Sequence, residues 1–418
     1  MTSGTQSSFA EMHPVAIEGI EQQLDNLWRE ANAGVSAASG HAVARNTVMT
    51  LVVVTRNPDE AREALDIVHQ LNAEHPSRAI VLAPAGDHEQ HDSPPPGTAG
   101  IEAFAATYVG PNSCYGEDIV LLAHGDAIRH LPGVVLPLIL SGLPSFLWWT
   151  GEPPWGSEML EALVDGCDRF VVDTSAMEHP DRSMRALEDL LRRKAARCAI
   201  GDVCWTVQAP WRDIVAQFFD PADVLVYLET VDRLTIEYAA GDEDQLSISS
   251  QAYLFAGWLA SRLGWRINLA QPVGIDGNRQ HNLRDASGRV VTLEINARYG
   301  VPLLSSLTQQ HMLPEEGTAQ QQNAQAVRPG ALMSVYIASR NEGQLATFAV
   351  ARERDLAHAT TACQVPGIAL PSQTVHLQSL GESGALAQQL ATLGHDPIYE
   401  EALQAGALMI GASGRKGL

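Results

Sequence analysis

Strand and helix patterns alternate through the first half of the chain, and this alternation limits the fold more than any other sequence feature. Thr50 to Thr55 is a β-branched run that predicts a buried strand. A helical pattern follows through Leu71, and Ala79 to Ala83 predicts the next strand. Such a strand–helix–strand unit implies parallel neighbours joined by a right-handed crossover. The alternation continues to about residue 200, so we predict a doubly wound α/β domain with a mainly parallel sheet.

The other elements of this half follow from the same patterns. An amphipathic stripe predicts a first helix around Ile17 to Trp28. Further strands are predicted at Ile101–Tyr108, Asp118–Ala123, Ser145–Trp149 and Arg169–Asp173, and further helices at Ser157–Val164 and Arg182–Arg197.

The second half has a different pattern. Val290 to Ala297 alternates apolar and polar residues, as in a half-solvated antiparallel strand. Strands are also predicted at Val224–Leu228, Leu234–Tyr238, Ala331–Ser339 and Thr347–Arg352, and helices near Pro210, at Ile248–Leu263 and within Ser383–Gly394. We expect a mobile loop at Met312–Pro329 and a loose C-terminal tail. This half is predicted to be an α+β domain with an antiparallel sheet.

The length of 418 residues favours two domains, and we place them at residues 1–200 and 201–418. A formal net charge of −22 argues against nucleic acid and anionic membrane surfaces as partners, because phosphates attract Lys and Arg. The chain shows neither a signal-peptide pattern nor an apolar run long enough to span a bilayer, so we expect a cytoplasmic protein.

Motifs for catalysis and cofactor binding are missing. The first strand leads into Thr55-Arg56-Asn57-Pro58, where a dinucleotide-binding domain would have G-x-G-x-x-G, and neither a P-loop nor G-x-S-x-G is present. His88 and His91 lie in an acidic, Pro-rich loop, and this pattern indicates solvated side chains more than a metal site. We therefore expect no cofactor, no metal and no catalytic residue.

One strand end keeps an alternative open. His124 and Asp126 follow a predicted strand, and the carboxyl ends of strands in α/β sheets host sites. With Asn57 they could form a pocket of a sugar-phosphate sensor or an enzyme, although a glycine turn with polar flanks is the favoured interpretation.

Cys198 and Cys204 are the cysteines with a basic neighbourhood. Arg192, Arg193 and Lys194 precede them, and basic neighbours lower the pKa of a thiol. A reactive pair or a disulfide is one hypothesis, and two structural cysteines at a domain boundary is the favoured one.

The stretch LPSFLWWTGEPPW, from Leu143 to Trp155, holds three of the eight tryptophans. Tryptophan is usually placed in cores or at interfaces, where its ring is buried and its N–H finds a partner. Since no nucleophile, base or metal cluster accompanies it, the stretch favours a binding protein.

Four strings together identify a family. IEGIEQQLDNLWRE near the start, LPSFLWWTGEPPW, APWRDIVAQFFDP at Ala209 to Pro221 and GWLASRLGW at Gly257 to Trp265 resemble the OpcA family of glucose-6-phosphate dehydrogenase assembly proteins. The resemblance covers about Pro14 to Met409. It implies a non-catalytic protein that binds the dehydrogenase of the oxidative pentose phosphate pathway, favours its oligomer and raises its activity allosterically, partly through the response to glucose 6-phosphate.

The resemblance also implies redox control by thioredoxin, for which the candidates are Cys198, Cys204 and Cys363. Tryptophan and arginine dominate the residues that anchor interfaces. The candidate partner-binding residues are therefore Trp148, Trp149, Trp155, Trp205, Trp211 and Arg212. We expect at least half of them to be buried within the chain, because a large aromatic residue on a strand usually packs in the core.

Overall fold

The computed structural model describes residues 9, 12–39, 47–72, 74–85, 100–109, 115–241, 248–268, 278–299, 327–377 and 380–413. The chain divides into two compact units. The first unit comprises Met1–Ala176, Arg193–Val203 and Gly381–His395, and the second comprises Met177–Arg192, Cys204–Leu380 and Asp396–Leu418.

The elements follow the chain in this order. The strands are β1 (His13–Val15), β2 (Met49–Val54), β3 (Ser77–Ala85), β4 (Ile101–Val109), β5 (Tyr115–His124), β6 (Ser145–Trp149), β7 (Arg169–Val172), β8 (Ala199–Asp202), β9 (Val231–Ala239), β10 (Arg266–Ile267), β11 (Arg279–Arg284), β12 (Val290–Arg298), β13 (Leu332–Asn341), β14 (Gln344–Arg352), β15 (His358–Gln364) and β16 (Thr374–His376). The α-helices are α1 (Ile20–Ser39), α2 (Pro58–Leu71), α3 (Leu131–Val135), α4 (Glu158–Asp165), α5 (Pro180–Lys194), α6 (Val203–Val207), α7 (Ala209–Gln217), α8 (Ala222–Leu228), α9 (Ser250–Arg262), α10 (Gly381–Leu390) and α11 (Pro397–Ser413).

The sheet of the first unit has the order β1-β4-β5-β3-β2-β6-β7-β8. The six strands from β5 to β8 run parallel, whereas β4 and β1 are added antiparallel at one edge. When the parallel strands are counted along the chain, their order is 3-2-1-4-5-6, as in Rossmann domains. The predicted doubly wound, mainly parallel sheet is confirmed.

A charge cluster with a buried Arg78–Glu117 pair and an exposed Glu21 fastens α1 to this sheet. Arg78 on β3 donates to Glu117 of β5 at 2.7 Å and to Glu21 of α1 at 2.6 Å. The Trp28 indole N–H donates to the same Glu117 at 2.6 Å. The predicted amphipathic helix thus exists, and its buried face carries polar as well as apolar contacts.

The sheet of the second unit has the order β10-β11-β12-β9-β13-β14-β15-β16. Only its β12–β9 pair is parallel. Phe219, just after α7, packs its ring 4.7 Å from that of Phe348 on β14, and Tyr253 of α9 contacts His281 of β11 at 3.1 Å. The predicted α+β domain with an antiparallel-dominated sheet is therefore present.

The division of the chain departs from two consecutive domains. Residues 177–192 belong to the second unit, and residues 381–395 belong to the first. Arg169 of β7 donates to Gln389 of α10 and to the Gly394 carbonyl, both at 2.6 Å, and the Gln389 amide donates to the Asp202 carbonyl at 3.1 Å. These contacts hold a C-terminal helix on an N-terminal sheet, and the local sequence pattern carries no signal for them.

Two predictions about elements are wrong. Val224 to Leu228 is part of helix α8, because Val224 and Tyr227, three residues apart, are buried while Leu225 and Val226 are exposed. The tail predicted to be loose is helical to Ser413.

The predicted mobile loop falls mostly on residues 312–326, which lie outside the described part of the chain. Among the described residues, no helix combines the length and the apolar composition that a bilayer crossing requires.

Candidate functional site

The strand order defines where a ligand would bind in a domain of this type. The chain leaves β2 for β3 on one side and later returns to β6 on the other side, so the loops after β2 and β6 diverge at a topological switch point. Open α/β sheets bind ligands in the crevice at this point, and dinucleotides place their pyrophosphate at the N-terminus of the helix after the first strand. The corresponding helix here is α2.

Side chains of this protein occupy that helix N-terminus. Asn57 caps α2 by accepting a hydrogen bond from the Glu60 backbone N–H at 2.9 Å. The Glu60 carboxylate turns back and accepts from the Arg56 backbone N–H at 3.1 Å and from Arg56 Nε at 2.7 Å. Burial raises the pKa of Glu60, but the hydrogen bonds from Arg56 outweigh it and leave the pKa lowered. The Glu60 carboxylate thus lies at the helix N-terminus, where a bound anion would be placed.

The other wall of the crevice supports the same arrangement. The Thr150 hydroxyl, directly after β6, lies 3.4 Å from Glu60 Oε2 and 3.3 Å from the Val54 carbonyl. A Cβ placed on Gly151 would lie 2.9 Å from Arg56 Cδ, so the arginine side chain runs tightly over this glycine. Arg56 therefore links Glu60 at the start of α2 to the turn after β6, with its own side chain 61% exposed.

The alternative strand-end pocket is not assembled. His124 Nε2 lies 3.2 Å from Glu102 on the neighbouring strand β4. Asp126 is exposed and pairs with Arg129 at 3.0 Å. Asn57 is used as the cap of α2, and its strand β2 is separated from β5 by β3. The three side chains have separate partners and do not converge on one space.

The tryptophans of β6 belong to the core. Trp148 and Trp149 are 2% and 6% exposed in the centre of the sheet, whereas Trp155, in the turn before α4, is half-buried. Trp205 and Trp211 in the second unit are also buried. Four of the six candidate anchors are therefore inside the chain, which confirms the expectation that at least half would be buried. Their role in partner binding stays a prediction.

Arg212 and Trp205 form a stacked pair in the second unit. The Arg212 guanidinium carbon lies 3.4 Å from the centre of the Trp205 ring system, and Arg212 donates to the Trp205 carbonyl at 2.8 Å. The indole N–H donates to Asp396 at 2.9 Å, and Tyr399 packs against the ring at 5.7 Å. Burial lowers the pKa of Arg212 to about 10, against the opposing effect of Asp396. The arginine stays charged at neutral pH.

Trp211 carries a second arginine. Arg352 of β14 lies 5.5 Å from its ring centre and donates to the carbonyls of Leu332 and Leu356, at 3.1 and 2.6 Å. Burial lowers the pKa of Arg352 as well. This arginine is engaged by the backbone on two sides and acts as a brace between β13 and the turn after β14.

The cysteines described by the structure are free thiols. Cys198 and Cys204 are buried, and burial raises the pKa of Cys198 to about 12. The basic neighbours expected to lower that pKa are used elsewhere, since Arg193 pairs with Glu161 and Lys194 pairs with Asp165. Cys363 is half-buried, and burial raises its pKa to about 11. The expected lowering of the Cys198 pKa is wrong, and redox activity of the three thiols stays a prediction.

Sequence reasoning missed Arg56 and Glu60 as site residues. The signal was present, because an asparagine followed three residues later by glutamate is a capping pattern at a helix start. It also missed Asp396 and Tyr399, which contact Trp205 from a distant part of the sequence. No local pattern could have supplied that pairing.

Together these features define a class of protein: an α/β chain with the Rossmann strand order, in which the helix at the switch point is capped by Asn57 and Glu60, and with a second unit built on a mixed sheet. The comparison with family descriptions gives the particular family. Residues 68–189 match the N-terminal domain of the glucose-6-phosphate dehydrogenase subunit family, and residues 198–403 match the C-terminal domain of the same family. The chain belongs to this family, the OpcA family, and the resemblance drawn from the sequence is confirmed.

Curated relatives carry the same family name. The OxPP cycle protein OpcA of Synechocystis sp. is 27% identical over 226 residues, which cover 53% of this chain and 44% of that protein. The protein of the same name from Synechococcus elongatus is 26% identical over 294 residues, which cover 69% of this chain and 58% of that protein. The chain thus spans about half the length of the curated relatives it matches.

Solved structures with a similar course of the chain are dehydrogenases. Glucose-6-phosphate 1-dehydrogenase from Mycobacterium avium has 11% identity and a TM-score of 0.44, covering 88% of this chain and 91% of that one. Levoglucosan dehydrogenase in complex with NADH has 8% identity and a TM-score of 0.45, covering 87% and 96%. Similarity at this level gives no information about the chemistry of the present chain.

Proposed function

We propose that this protein is a non-catalytic partner of glucose-6-phosphate dehydrogenase in the oxidative pentose phosphate pathway. It binds the dehydrogenase, favours the active oligomer and raises its activity. Family membership supports the choice of partner, since the matching descriptions name subunits of this dehydrogenase. The proposal includes a cytoplasmic location, as expected from the sequence.

The carboxylate at the N-terminus of α2 is the observation that supports the non-catalytic part. A nicotinamide cofactor needs a close backbone approach at the N-terminus of α2, and its pyrophosphate is an anion. The Glu60 carboxylate, which accepts from the Arg56 backbone N–H and from Arg56 Nε, lies at this helix N-terminus with a charge of the same sign. A bound pyrophosphate would have to displace Glu60 and Arg56. Partner binding remains as a function that needs no cofactor.

Activation of a partner imposes a condition on its binding energy. A protein that binds the active and the inactive forms of an enzyme equally shifts nothing, however tightly it binds. Each tenfold shift of that equilibrium needs about 1.4 kcal/mol of preference for the active form. The proposal therefore requires that the docking surface contact a feature of the dehydrogenase that differs between its oligomeric or conformational states.

Steady-state kinetics test the proposal. The cognate dehydrogenase is titrated with glucose 6-phosphate, with and without this protein, while sedimentation velocity follows its oligomeric state. We expect a lower half-saturation or a higher maximal rate, together with co-sedimentation. This protein alone, supplied with the same sugar phosphate and nucleotide, is the control and should form no reduced nucleotide. Unchanged kinetics under oxidising and reducing conditions, or turnover by the protein alone, would contradict the proposal.

Redox control, with thioredoxin as a second partner, is a finer part of the proposal. It has to act through a thiol that reaches solvent, and Cys363 is the described cysteine that is not fully buried. The kinetics are therefore repeated with Cys363→Ser and with the Cys198→Ser/Cys204→Ser double variant. Loss of the response to reductant in one variant identifies the thiol, whereas an unchanged response in both removes these cysteines from the proposal.

A further inference from the structure

Arg212 differs from most described arginines in how its charge is neutralised. Many of them, such as Arg56, Arg62 and Arg340, form ion pairs with a carboxylate. Arg212 is half-buried, yet among the described residues its side chain has one hydrogen bond, to the Trp205 carbonyl, and no ion pair. None of its nitrogens is buried without a partner, so the remaining N–H groups are open to water.

Asp396 and Asp213, the carboxylates that raise the pKa of Arg212, form no ion pair with it. Asp396 accepts the Trp205 indole N–H through one oxygen and the backbone N–H groups of Ile398 and Tyr399, at the start of α11, through the other. Asp213, the next residue on α7, is exposed and makes no hydrogen bond with Arg212. A guanidinium with free donors and a partly lost hydration shell is thus presented in a chain whose net charge is −22.

The support under this guanidinium is rigid. Trp205 is 6% exposed, and its ring is held by the hydrogen bond to Asp396 and by the Tyr399 ring. Stacking on an indole fixes the plane of the arginine, so that little side-chain freedom is left to lose on binding. A planar, fixed guanidinium fits the two oxygens of a carboxylate.

Exposed apolar side chains lie close in sequence to the residues of this cluster. Val207, two residues after Trp205, is 39% exposed, and Ile398, beside Tyr399, is 42% exposed. Of the two, Ile398 is tied to the cluster, because its backbone N–H donates to the same Asp396 that accepts the Trp205 indole N–H. An arginine on an aromatic support with an exposed apolar residue near it has the composition of an interface hot spot.

We propose that Arg212 is the centre of the surface that docks on the dehydrogenase, where it receives a carboxylate of the partner while Ile398 packs against an apolar side chain beside that carboxylate. This inference rests on the proposed function. Because the chain as a whole is acidic, an arginine aligned with a carboxylate of the partner helps to fix the orientation of docking.

Binding constants of variants test the inference. Arg212→Met keeps the apolar stack on Trp205 and removes the charge and the donors, and we expect its affinity for the dehydrogenase to fall at least ~30-fold. Arg212→Lys keeps the charge without the planar fork and should fall between this variant and the wild type. Arg354→Met is the matched control, since it removes an equal charge from an exposed arginine of the same unit, and its affinity should stay within ~2-fold.

The outcomes separate this inference from the proposed function. If the wild type binds and activates while Arg212→Met does so equally well, the docking surface lies elsewhere and the proposed function stands. If the wild type neither binds nor activates, the proposed function fails first. Circular dichroism and Tm confirm that Arg212→Met is folded, and Ile398→Ser, an exposed change, gives a second measure that should also weaken binding. Inorganic phosphate should compete with the partner carboxylate for Arg212. If phosphate weakens binding by the wild type and by Arg212→Met equally, the carboxylate contact at Arg212 is contradicted.

Discussion

Arg78 has a side chain that is 1% exposed, and its charge is balanced by Glu117 and Glu21. Removal of one member of a buried ion pair leaves the other charged and without its partner, which typically costs about 3–5 kcal/mol. We expect Arg78→Met to lower the free energy of unfolding by this amount in urea titrations. The control is Arg62→Met on α2, where the arginine and its partner Asp59 are exposed and a change of about 0.5 kcal/mol or less is expected. Equal effects of the two substitutions would show that the Arg78 cluster adds nothing to the free energy of unfolding.

The thiols should react in the order of their exposure. Cys363 is half-buried with a pKa raised to about 11, whereas Cys167 and Cys198 are buried with pKa values raised to about 12. Because the thiolate is the reactive form, labelling of Cys363 should accelerate as the pH rises towards about 11. Peptide mass spectrometry after iodoacetamide treatment should find Cys363 labelled before Cys167 and Cys198 in the folded protein, and all three labelled alike in urea. Early labelling of Cys198 would mean that the segment before β8 opens readily.

Helices α9 and α11 pack so closely that glycine is needed at their contact. A Cβ on Gly406 would lie 2.8 Å from the Tyr253 carbonyl, whereas one on Gly411, in the same helix, would meet nothing closer than 3.9 Å. Gly406→Ala should therefore destabilise the protein by about 1–3 kcal/mol through overpacking. Gly411→Ala should stabilise it by about 0.5–1 kcal/mol, because alanine is the better helix former. Thermal unfolding of the two variants checks the opposite signs, and a shared sign would mean that the helices can move apart.

The β11–β12 hairpin is closed by a side-chain clamp that depends on pH. Asp285 accepts hydrogen bonds from Ser287, from the Arg289 backbone and from Arg289 Nε, and despite the opposing effect of burial these lower its pKa to about 2. Since the pKa is lowered in the folded state, the stabilisation is present above the unfolded value of about 4 and is lost as the pH falls towards 2.

Replacement of this carboxylate measures the clamp. Asp285→Asn should lower the free energy of unfolding by about 2 kcal/mol near neutral pH, and its difference from the wild type should shrink steadily as the pH falls below about 4. Asp126→Asn, at an exposed aspartate, is the matched control and should show a small difference throughout. A pH-independent difference for Asp285→Asn would place the effect in packing instead of charge.

Most strands could be predicted because a buried strand needs a run of apolar and β-branched residues, and the run Ser145–Trp149 coincides with β6. The short helix α8 resembles a strand in sequence because a brief apolar run fits either period. The sequence shows that the glycines of a dinucleotide-binding loop are absent at the switch point. It does not show that the Arg56 side chain lies against Gly151. That contact joins residues nearly a hundred positions apart, and no local pattern reports on it.

At the scale of the whole molecule, the order of the strands and the exchange of segments between the units lie beyond the sequence. Alternation predicts parallel strands but not the order 3-2-1-4-5-6, which depends on where each crossover returns. The assignment of α10 to the first unit depends on Arg169 and Gln389, more than two hundred residues apart. Family resemblance, in contrast, is readable because it rests on strings of residues and not on their placement.

The Rossmann strand order, with a carboxylate at the N-terminus of its first helix, is the whole-molecule property that can be tested most directly. A ligand that binds the folded state with a Kd of about 10 µM would add about 2.7 kcal/mol of stability at about 1 mM. Because the Glu60 carboxylate lies at the N-terminus of α2, where a dinucleotide would place its pyrophosphate, we expect neither NAD nor NADP, oxidised or reduced, to raise the Tm of this protein at that concentration. The dehydrogenase partner, treated identically, serves as the positive control. A nucleotide-dependent rise in Tm that disappears in an Arg56→Ala variant would show that the loops after β2 and β6 open to admit a ligand. The protein would then be a nucleotide-binding protein.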